Sequence, residues 1–251
     1  MNEYVKHLNR IEFLVTLACT GHCKHCSEGD HAGSTKHLDG ECAAKAVDEI
    51  CRVYKIDSLM VFGGEPLLYP EDVCKIFKAG KKAGIGRRDL ITNGYFSKDE
   101  KRIQEVAEQL VESGLNRLLL SVDAFHQETI PIEPVMAFAK CIQNAGIKTE
   151  LSPAWLVSQD DNNPYNIKTR EILKLFTDAG FGLGTGNVIW PEGNARIYLK
   201  DYFDLSKEYV NPYEEDPRDV KSVSIEPDGK ALQGNIYQDN IIDILENYRP
   251  L

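Results

Sequence analysis

Residues 97–125 read SKDEKRIQEVAEQLVESGLNRLLLSVDAF, and they contain one complete helix-then-strand unit. Ile103, Val106, Ala107, Leu110 and Val111 recur at three- and four-residue spacing, which makes one apolar stripe on an amphipathic helix. Ser97 and Glu100 have the spacing of a capping box at its start. Ser-Gly-Leu at 113–115 ends it, because glycine takes the left-handed position without a Cβ penalty and the apolar residue after it packs back on the helix. NRLLLSV (116–122) then reads as a short apolar strand, with Ser121 and Asp123 left at its carboxyl end.

The same ending recurs as AGI (83–85), AGI (145–147) and AGF (179–181). The glycines at 84, 114, 146 and 180 are thus roughly thirty residues apart, the length of one strand-plus-helix unit. Pro70 and Pro134 fall near helix starts, where proline is tolerated. ECAAKAVDEICRVY (41–54) is a further helix with Asp39 as its cap. Apolar strands are expected at 11–17, 57–62, 88–93, 116–122, 149–157 and 182–190. Their runs are more continuous than alternating, which predicts parallel strands covered on both faces and joined by right-handed crossovers. Six β/α units are too few for a closed eight-fold barrel. They fit an α/β fold, either a doubly wound sheet or a curved, partly open barrel. After residue 191 the rhythm stops. VKSVSIEPDGKALQGN (220–235) has a hairpin pattern with Pro-Asp-Gly at the turn, and QDNIIDILENY (238–248) reads as a short helix. Together they are expected to cap one end of the barrel.

The chain has 251 residues, a formal net charge of −10 and no basic stripe. That argues against wrapping a nucleic-acid backbone. GKKAGIGRR (80–88), the densest basic run, reads as a solvated helix end and loop. The start, MNEYVKHLNRIEFLV, lacks the apolar region of a signal peptide, and no window of about 20 apolar residues would span a membrane. The seven cysteines are an odd number, and Cys19, Cys23 and Cys26 lie within eight residues. This suits a reducing, cytoplasmic setting and metal binding better than a disulfide framework.

In parallel α/β folds, ligands sit at the carboxyl ends of the strands. Cys19, Cys23 and Cys26 follow strand one, GGEP (63–66) strand two, TNG (92–94) strand three and SVDAFHQ (121–127) strand four. Every conspicuous group falls at one end, so one large site is expected there. Gly63 and Gly64 let the backbone approach a ligand closely. Glu65 offers a negative charge to an amine. Thr92, Asn93, Ser121 and Asp123 add donors, acceptors and a carboxylate. Such a site suits a zwitterionic ligand with hydroxyls, and the Gly-x-x-x-x-Gly-Lys loop of a nucleotide phosphate binder is missing. Taken singly, GGEP and TNG are ordinary turns. Cys42, Cys51, Cys74 and Cys141 lie in helix patterns and read as small buried hydrophobes. His7, His31 and His37 read as surface or packing residues.

A structural zinc site needs four closed ligands. Only Cys23 and Cys26 have the paired spacing, although His22, His25, His31 or His37 could complete a set. Zinc would explain none of the other strand-end groups. An iron–sulfur cluster of four irons normally takes four thiolates. Three thiolates leave one iron open to a ligand from outside.

Cys19-x-x-x-Cys23-x-x-Cys26, followed in order by GGEP, ITNG and SVD at successive strand ends, resembles the radical S-adenosylmethionine (radical SAM) enzymes over about residues 10–190. The resemblance implies a partial (β/α)6 TIM-type barrel. It implies that Cys19, Cys23 and Cys26 hold one [4Fe–4S] cluster, and that Gly63, Gly64 and Glu65 bind the amino group of S-adenosylmethionine. Thr92, Asn93 and Ser121 would meet its carboxylate or ribose, with Asp123 close by. His25 would lie against the adenine, and Ser152 and Asn187 would touch ribose or adenine. The implied reaction is one-electron cleavage of S-adenosylmethionine to a 5′-deoxyadenosyl radical that abstracts hydrogen from a substrate. An electron donor such as flavodoxin or ferredoxin is implied as a partner, and an oxygen-labile cluster implies an anaerobic setting.

Many such enzymes carry a C-terminal extension with further cysteines. Here none follows Cys141, and ALQGN (231–235) stands where one would be. The expectation is a single-cluster member, with a radical SAM core over 1–190 and a reduced SPASM/twitch-like cap over 191–251. Strand one starts near residue 11, so no leader-binding domain is expected ahead of it. Tyr198, Tyr202 and Tyr237 lie where a hydrogen-donating cysteine would otherwise sit, and read as core or rim. WPEGNARIYLKDYFD (190–204) could line a peptide-binding mouth, which favours a peptide or protein side chain as substrate over a small molecule. The alternatives are an activating enzyme for a glycyl-radical partner, and a non-enzymatic zinc or iron–sulfur binding protein.

Overall fold

The structure, a computed structural model, describes every residue except Met1, Ala32, Val210 and Leu251. The four repeat glycines do close four helices. Gly84, Gly114, Gly146 and Gly180 have φ of 77°, 104°, 80° and 91°. The residue after each donates its N–H to the carbonyl five residues back: Ile85 to Gly80, Leu115 to Leu110, Ile147 to Ile142 and Phe181 to Phe176, at 3.0–3.3 Å. This is the Schellman arrangement, with its apolar residue packed inward.

In chain order the elements are β1 (Arg10–Leu14), α1 (Gly40–Val53), β2 (Ser58–Phe62), α2 (Pro70–Lys82), β3 (Arg87–Thr92) and α3 (Glu100–Ser113). Then come β4 (Arg117–Leu120), α4 (Ile132–Asn144), β5 (Lys148–Leu151), β6 (Ala154–Trp155), α5 (Pro164–Asp178), β7 (Gly182–Leu183) and β8 (Asn187–Val188). The last are α6 (Gly193–Tyr198), β9 (Ser222–Ile225), β10 (Lys230–Ala231), β11 (Gly234–Asn235) and α7 (Ile241–Asn247). Asp39 caps α1 as expected, accepting from the Glu41 and Cys42 amides at 2.8 and 2.9 Å. At α3 the cap is Asp99, not Ser97: Asp99 accepts from the Lys101 amide, and the Ser97 hydroxyl accepts from Asp99. The Ser97–Glu100 capping box is therefore corrected. A carboxylate caps as well as a hydroxyl and stands next to the helix.

The sheet order is β11-β10-β9-β1-β2-β3-β4-β5-β7. All pairings from β9 to β7 are parallel. This is the expected partial barrel, with one more parallel strand than the sequence predicts. Strand five breaks at Pro153, which has no N–H to donate, and strand six breaks at Gly184–Gly186. Their outer halves, β6 and β8, pair with each other.

The C-terminal hairpin joins the sheet at the β1 edge. Its first arm, β9, lies beside β1 with Ile11 opposite Val223 and Phe13 opposite Ile225. Val223 and Ile225 are buried, so pairing there covers the exposed edge of β1. Val220, Ala231, Ile241 and Leu245 join the same core.

Burial alternates along β1, β4 and β5, where continuous burial on both faces was expected. Helices cover one face only, where Ile11, Phe13, Leu59, Val61, Leu90 and Leu118 form the main core. On the other face one row runs Glu12, Met60, Asp89 and Arg117. Arg117 donates to Glu150 at 2.9 Å, and Arg87 lies 3.0 Å from the buried Asp89 carboxylate. A curved sheet wrapped by helices on its outside leaves this inner face lined but open, and its strand carboxyl ends frame the site.

Candidate active site

β1 ends at Leu14, and the chain turns away through Thr16, whose hydroxyl donates to the Lys36 carbonyl and accepts from the Ala18 amide. The GGEP turn docks against this root. Gly64 donates to the Thr16 carbonyl and Glu65 to the Ala18 carbonyl, both at 2.7 Å. A Cβ on Gly63 would lie 2.5 Å from the Thr16 oxygen, and one on Gly64 2.3 Å from the Ala18 oxygen. The pair of glycines is demanded by the chain's own backbone, which anchors the root of the cysteine loop.

Glu65 is fully buried and ties two strand ends together. It accepts from the Leu67 amide at 2.8 Å, the Asn93 amide at 3.0 Å and the Thr92 hydroxyl at 2.7 Å. Burial pushes its pKa up to about 7, although the hydrogen bonds from Leu67, Thr92 and Asn93 oppose this. Thr92 also accepts from the Gly94 amide. The Asn93 side-chain amide donates to the Thr20 hydroxyl at 3.2 Å and points at the Cys19 sulfur at 3.6 Å. Ser121 continues the ladder one step beyond β4, donating its N–H to the Thr92 carbonyl. Thus Glu65, Thr92, Asn93 and Cys19 are brought together.

Asp123 is also fully buried. It accepts from the Phe125, His126 and Ala154 amides at 2.9–3.0 Å, and its Oδ2 lies 2.8 Å from His126 Nδ1. A carboxylate only accepts, so His126 Nδ1 carries the proton. Burial alone would raise the Asp123 pKa, but the charge and hydrogen bonds of His126 hold it well below the usual carboxylate range. His126 is a site residue the sequence reading missed. Its signal was present as Asp-x-x-His at a strand end. The nitrogens of His25 and His126 and the Cys23 sulfur have ligand atoms all within 4.8 Å of one another. His25 packs on Phe125 and His126 with ring centroids 5.0 and 4.9 Å apart. Burial pulls the His25 pKa down to about 4, and its Nδ1 is buried without a hydrogen-bond partner.

The three cysteines share one loop and feel one another's charge. Burial pushes the Cys19 thiol up to about 11 and raises Cys23 and Cys26 as well. Isolated thiolates are costly here, and positive metal charge would offset that cost. Cys51 and Cys141 pack against the main core and Cys74 lies in it, while Cys42 sits in the first turn of α1. Among the described residues the loop therefore carries three thiols and no fourth. That donor set fits a cluster held by three protein ligands. His31 lies against this loop, with Nε2 3.7 Å from the Cys26 sulfur, rather than on an unrelated surface. Of the tyrosines, Tyr202 stands edge-on to Tyr165, which stacks on Phe125. Tyr237 instead accepts from the Asp39 amide at the start of α1. Ser152 donates its N–H to the Leu120 carbonyl, and the Asn187 side chain accepts from the Tyr213 hydroxyl.

Residues 13–152 match the sequence profile of the Radical SAM superfamily. A probable GTP 3′,8-cyclase of Methanocaldococcus jannaschii is 26% identical over 128 residues, covering 51% of this chain and 40% of that protein. An AdoMet-dependent heme synthase of Methanosarcina barkeri is 34% identical over 121 residues, covering 47% of this chain and 32% of that protein. The matches thus span less than half the length of these curated relatives. Among solved structures, Streptococcus suis SuiB bound to the precursor peptide SuiA superposes with a TM-score of 0.59 at 12% identity, covering 97% of this chain and 68% of that one. Native anSMEcpe with bound AdoMet gives a TM-score of 0.58 at 16% identity, covering 95% of this chain and 80% of that one. These likenesses show a shared fold.

Proposed function

The chain belongs to the radical SAM superfamily, and on that premise we propose that it abstracts hydrogen from a peptide or protein side chain. It is an enzyme of the kind that binds a [4Fe–4S] cluster and AdoMet, and such enzymes need an electron donor. The observation that carries the peptide reading is the set of exposed apolar side chains on β8 and in the segment after it. Ile197 and Tyr198 are 63% and 61% exposed, and Val188, Tyr202 and Tyr213 are exposed with them. The segment that carries Ile197 and Tyr198 is anchored beside the cysteine loop, since its buried Ala195 and Leu199 pack with Cys23. An extended chain can lie along such a surface. The likeness to SuiB, which was solved with a precursor peptide and covers 97% of this chain, supports the same reading. The relatives named as GTP cyclases cover 48–59% of this chain, and a triphosphate would need basic side chains that this acidic chain does not cluster.

In this reading Cys19, Cys23 and Cys26 ligate the cluster. Bound together, the cluster and AdoMet supply one-electron hydrogen abstraction. The chain's own residues hold and shield them. The Gly63–Glu65 backbone, Thr92, Asn93 and Ser121 receive the methionine and ribose parts of AdoMet, and His25 receives the adenine. The buried carboxylates of Glu65 and Asp123 brace the strand ends and the His126 ring. Residues 191–251 form an extension of the core. A flavodoxin or ferredoxin supplies electrons. No described helix is long and apolar enough to cross a membrane, and an oxygen-labile cluster suits a reducing cytoplasm.

The test is deuterium transfer. Peptides deuterated at side-chain carbons are incubated anaerobically with the reconstituted enzyme, AdoMet and dithionite. The expected result is deuterium in 5′-deoxyadenosine and a mass change in the peptide. Faster cleavage with GTP than with any peptide would overturn the peptide reading.

A further inference from the structure

The Cys-x-x-Cys turn is gripped by one residue 171 positions away from Cys23. Inside the loop, the Cys23 carbonyl accepts from the Cys26 amide and the Cys26 carbonyl from the Gly29 amide, each at 3.2 Å. Each carbonyl takes its second bond from Asn194. The Asn194 side-chain amide donates to the Cys23 carbonyl at 3.1 Å, and its backbone N–H donates to the Cys26 carbonyl at 2.9 Å. The residue before it explains how the segment comes so near. A Cβ on Gly193 would lie 2.5 Å from the Cys26 oxygen and 2.3 Å from the Ser27 oxygen, and its φ of +51° favours glycine as well. Ala195 and Leu199, on the buried side of α6, then pack with Cys23, Phe125 and Ile189.

We propose that Asn194 is a positioning residue for the iron–sulfur cluster, and that Gly193 is the opening through which it reaches the loop. The inference rests on Cys23 and Cys26 being cluster ligands, and not on the identity of the substrate. Between Cys19 and His31 the loop has no helix or strand to fix it. Its shape therefore depends on turns and on contacts from outside. Asn194 supplies both outside bonds at the two ligating residues that share the tightest spacing. Its two N–H dipoles present their positive ends to the cysteine turn, which favours added negative charge there. Partners one bond removed from a metal ligand typically alter metal affinity or activity ten- to a hundredfold when lost.

The experiment uses the full chain, reconstituted anaerobically with iron and sulfide. Asn194→Asp keeps the size of the side chain but replaces the donor with a carboxylate facing a carbonyl oxygen. Asn194→Ala removes the donor alone. Arg196→Ala, on the exposed side of the same helix, is the control. The readings are the rate of iron loss to a ferrous chelator, and the electron paramagnetic resonance signal and midpoint potential of the reduced cluster without AdoMet. Both Asn194 variants are expected to lose iron about ten- to a hundredfold faster, with an altered signal and a lower potential, while Arg196→Ala matches the parent. Equal rates, signals and potentials in the parent and either Asn194 variant would overturn the proposal, as would an equal change in Arg196→Ala. Hydrogen exchange in the parent protein is independent of any variant. Amides 193–195 are expected to exchange more slowly once the cluster is loaded, and unchanged exchange also counts against it.

Discussion

The Thr92 hydroxyl lies 2.7 and 2.8 Å from the two carboxylate oxygens of Glu65, and both residues are buried. One contact thereby locks the end of β2 to the end of β3, directly beneath Asn93 and Cys19. Thr92→Val keeps the shape and deletes the hydroxyl. Glu65 loses a donor and the Gly94 amide loses its acceptor. Leaving such groups unsatisfied costs about 1–3 kcal/mol. Urea denaturation of the apoprotein should show a loss in that range, with an unchanged denaturant slope.

Glu65 also makes stability depend on pH. Burial raises its pKa from the ordinary 4.5 to about 7 in the folded chain. The folded state then binds a proton that the unfolded state has released. The stabilisation is present in full below pH 4.5 and is lost as pH rises through about 7. At about 1.4 kcal/mol for each tenfold step, the total is about 3 kcal/mol. In apoprotein melts between pH 5 and 8, the parent should weaken with rising pH relative to Glu65→Gln. Parallel pH profiles for the two would show that Glu65 does not titrate in this window.

Asp123 has a heavier structural load. It accepts three amides and the His126 ring without solvent contact. Asp123→Ala should cost about 3–5 kcal/mol. For a chain of this size each kcal/mol corresponds to about 2–4 °C, so thermal melting should fall by about 6–20 °C.

The cysteines divide by place in the fold. Replacing Cys19, Cys23 or Cys26 singly with serine should remove most of the iron that the reconstituted parent holds. Cys51→Ala and Cys141→Ala should retain it, because those side chains pack against the helix-side core. Colorimetric iron and sulfide assays give the comparison.

Gly64→Ala tests whether the GGEP turn anchors the cysteine loop. The new methyl would overlap the Ala18 carbonyl, 2.3 Å away. That backbone has nowhere to move without shifting the root of the loop. The variant is expected to fold yet hold iron poorly. Gly146→Ala, where a Cβ would meet nothing within 4 Å, should hold iron like the parent.

Local signals account for what was legible in the sequence. The glycines at 84, 114, 146 and 180 mark helix ends by their own torsions, and the strands between them follow. The cysteine spacing and the strand-end groups also sit within short windows. What escaped depends on distant pairing. Ser222–Ile225 reads as a hairpin arm, and nothing in those four residues says that their partner is Arg10–Phe13. The inner face of the sheet escapes the sequence pattern because Leu14, Phe62, Ile91 and Leu119 are apolar yet only partly buried, so the strands look buried on both sides. The bonds that Glu65 accepts from Leu67, Thr92 and Asn93 join two strand ends, and the GGEP turn alone does not show them. Asn194 grips backbone carbonyls, and carbonyls carry no sequence pattern to match.

The most direct test is anaerobic reconstitution followed by addition of AdoMet and dithionite. About four irons per chain and 5′-deoxyadenosine that appears only with reductant are the expected results. One zinc per chain with no cleavage of AdoMet would contradict the assignment, and about eight irons per chain would contradict a single cluster.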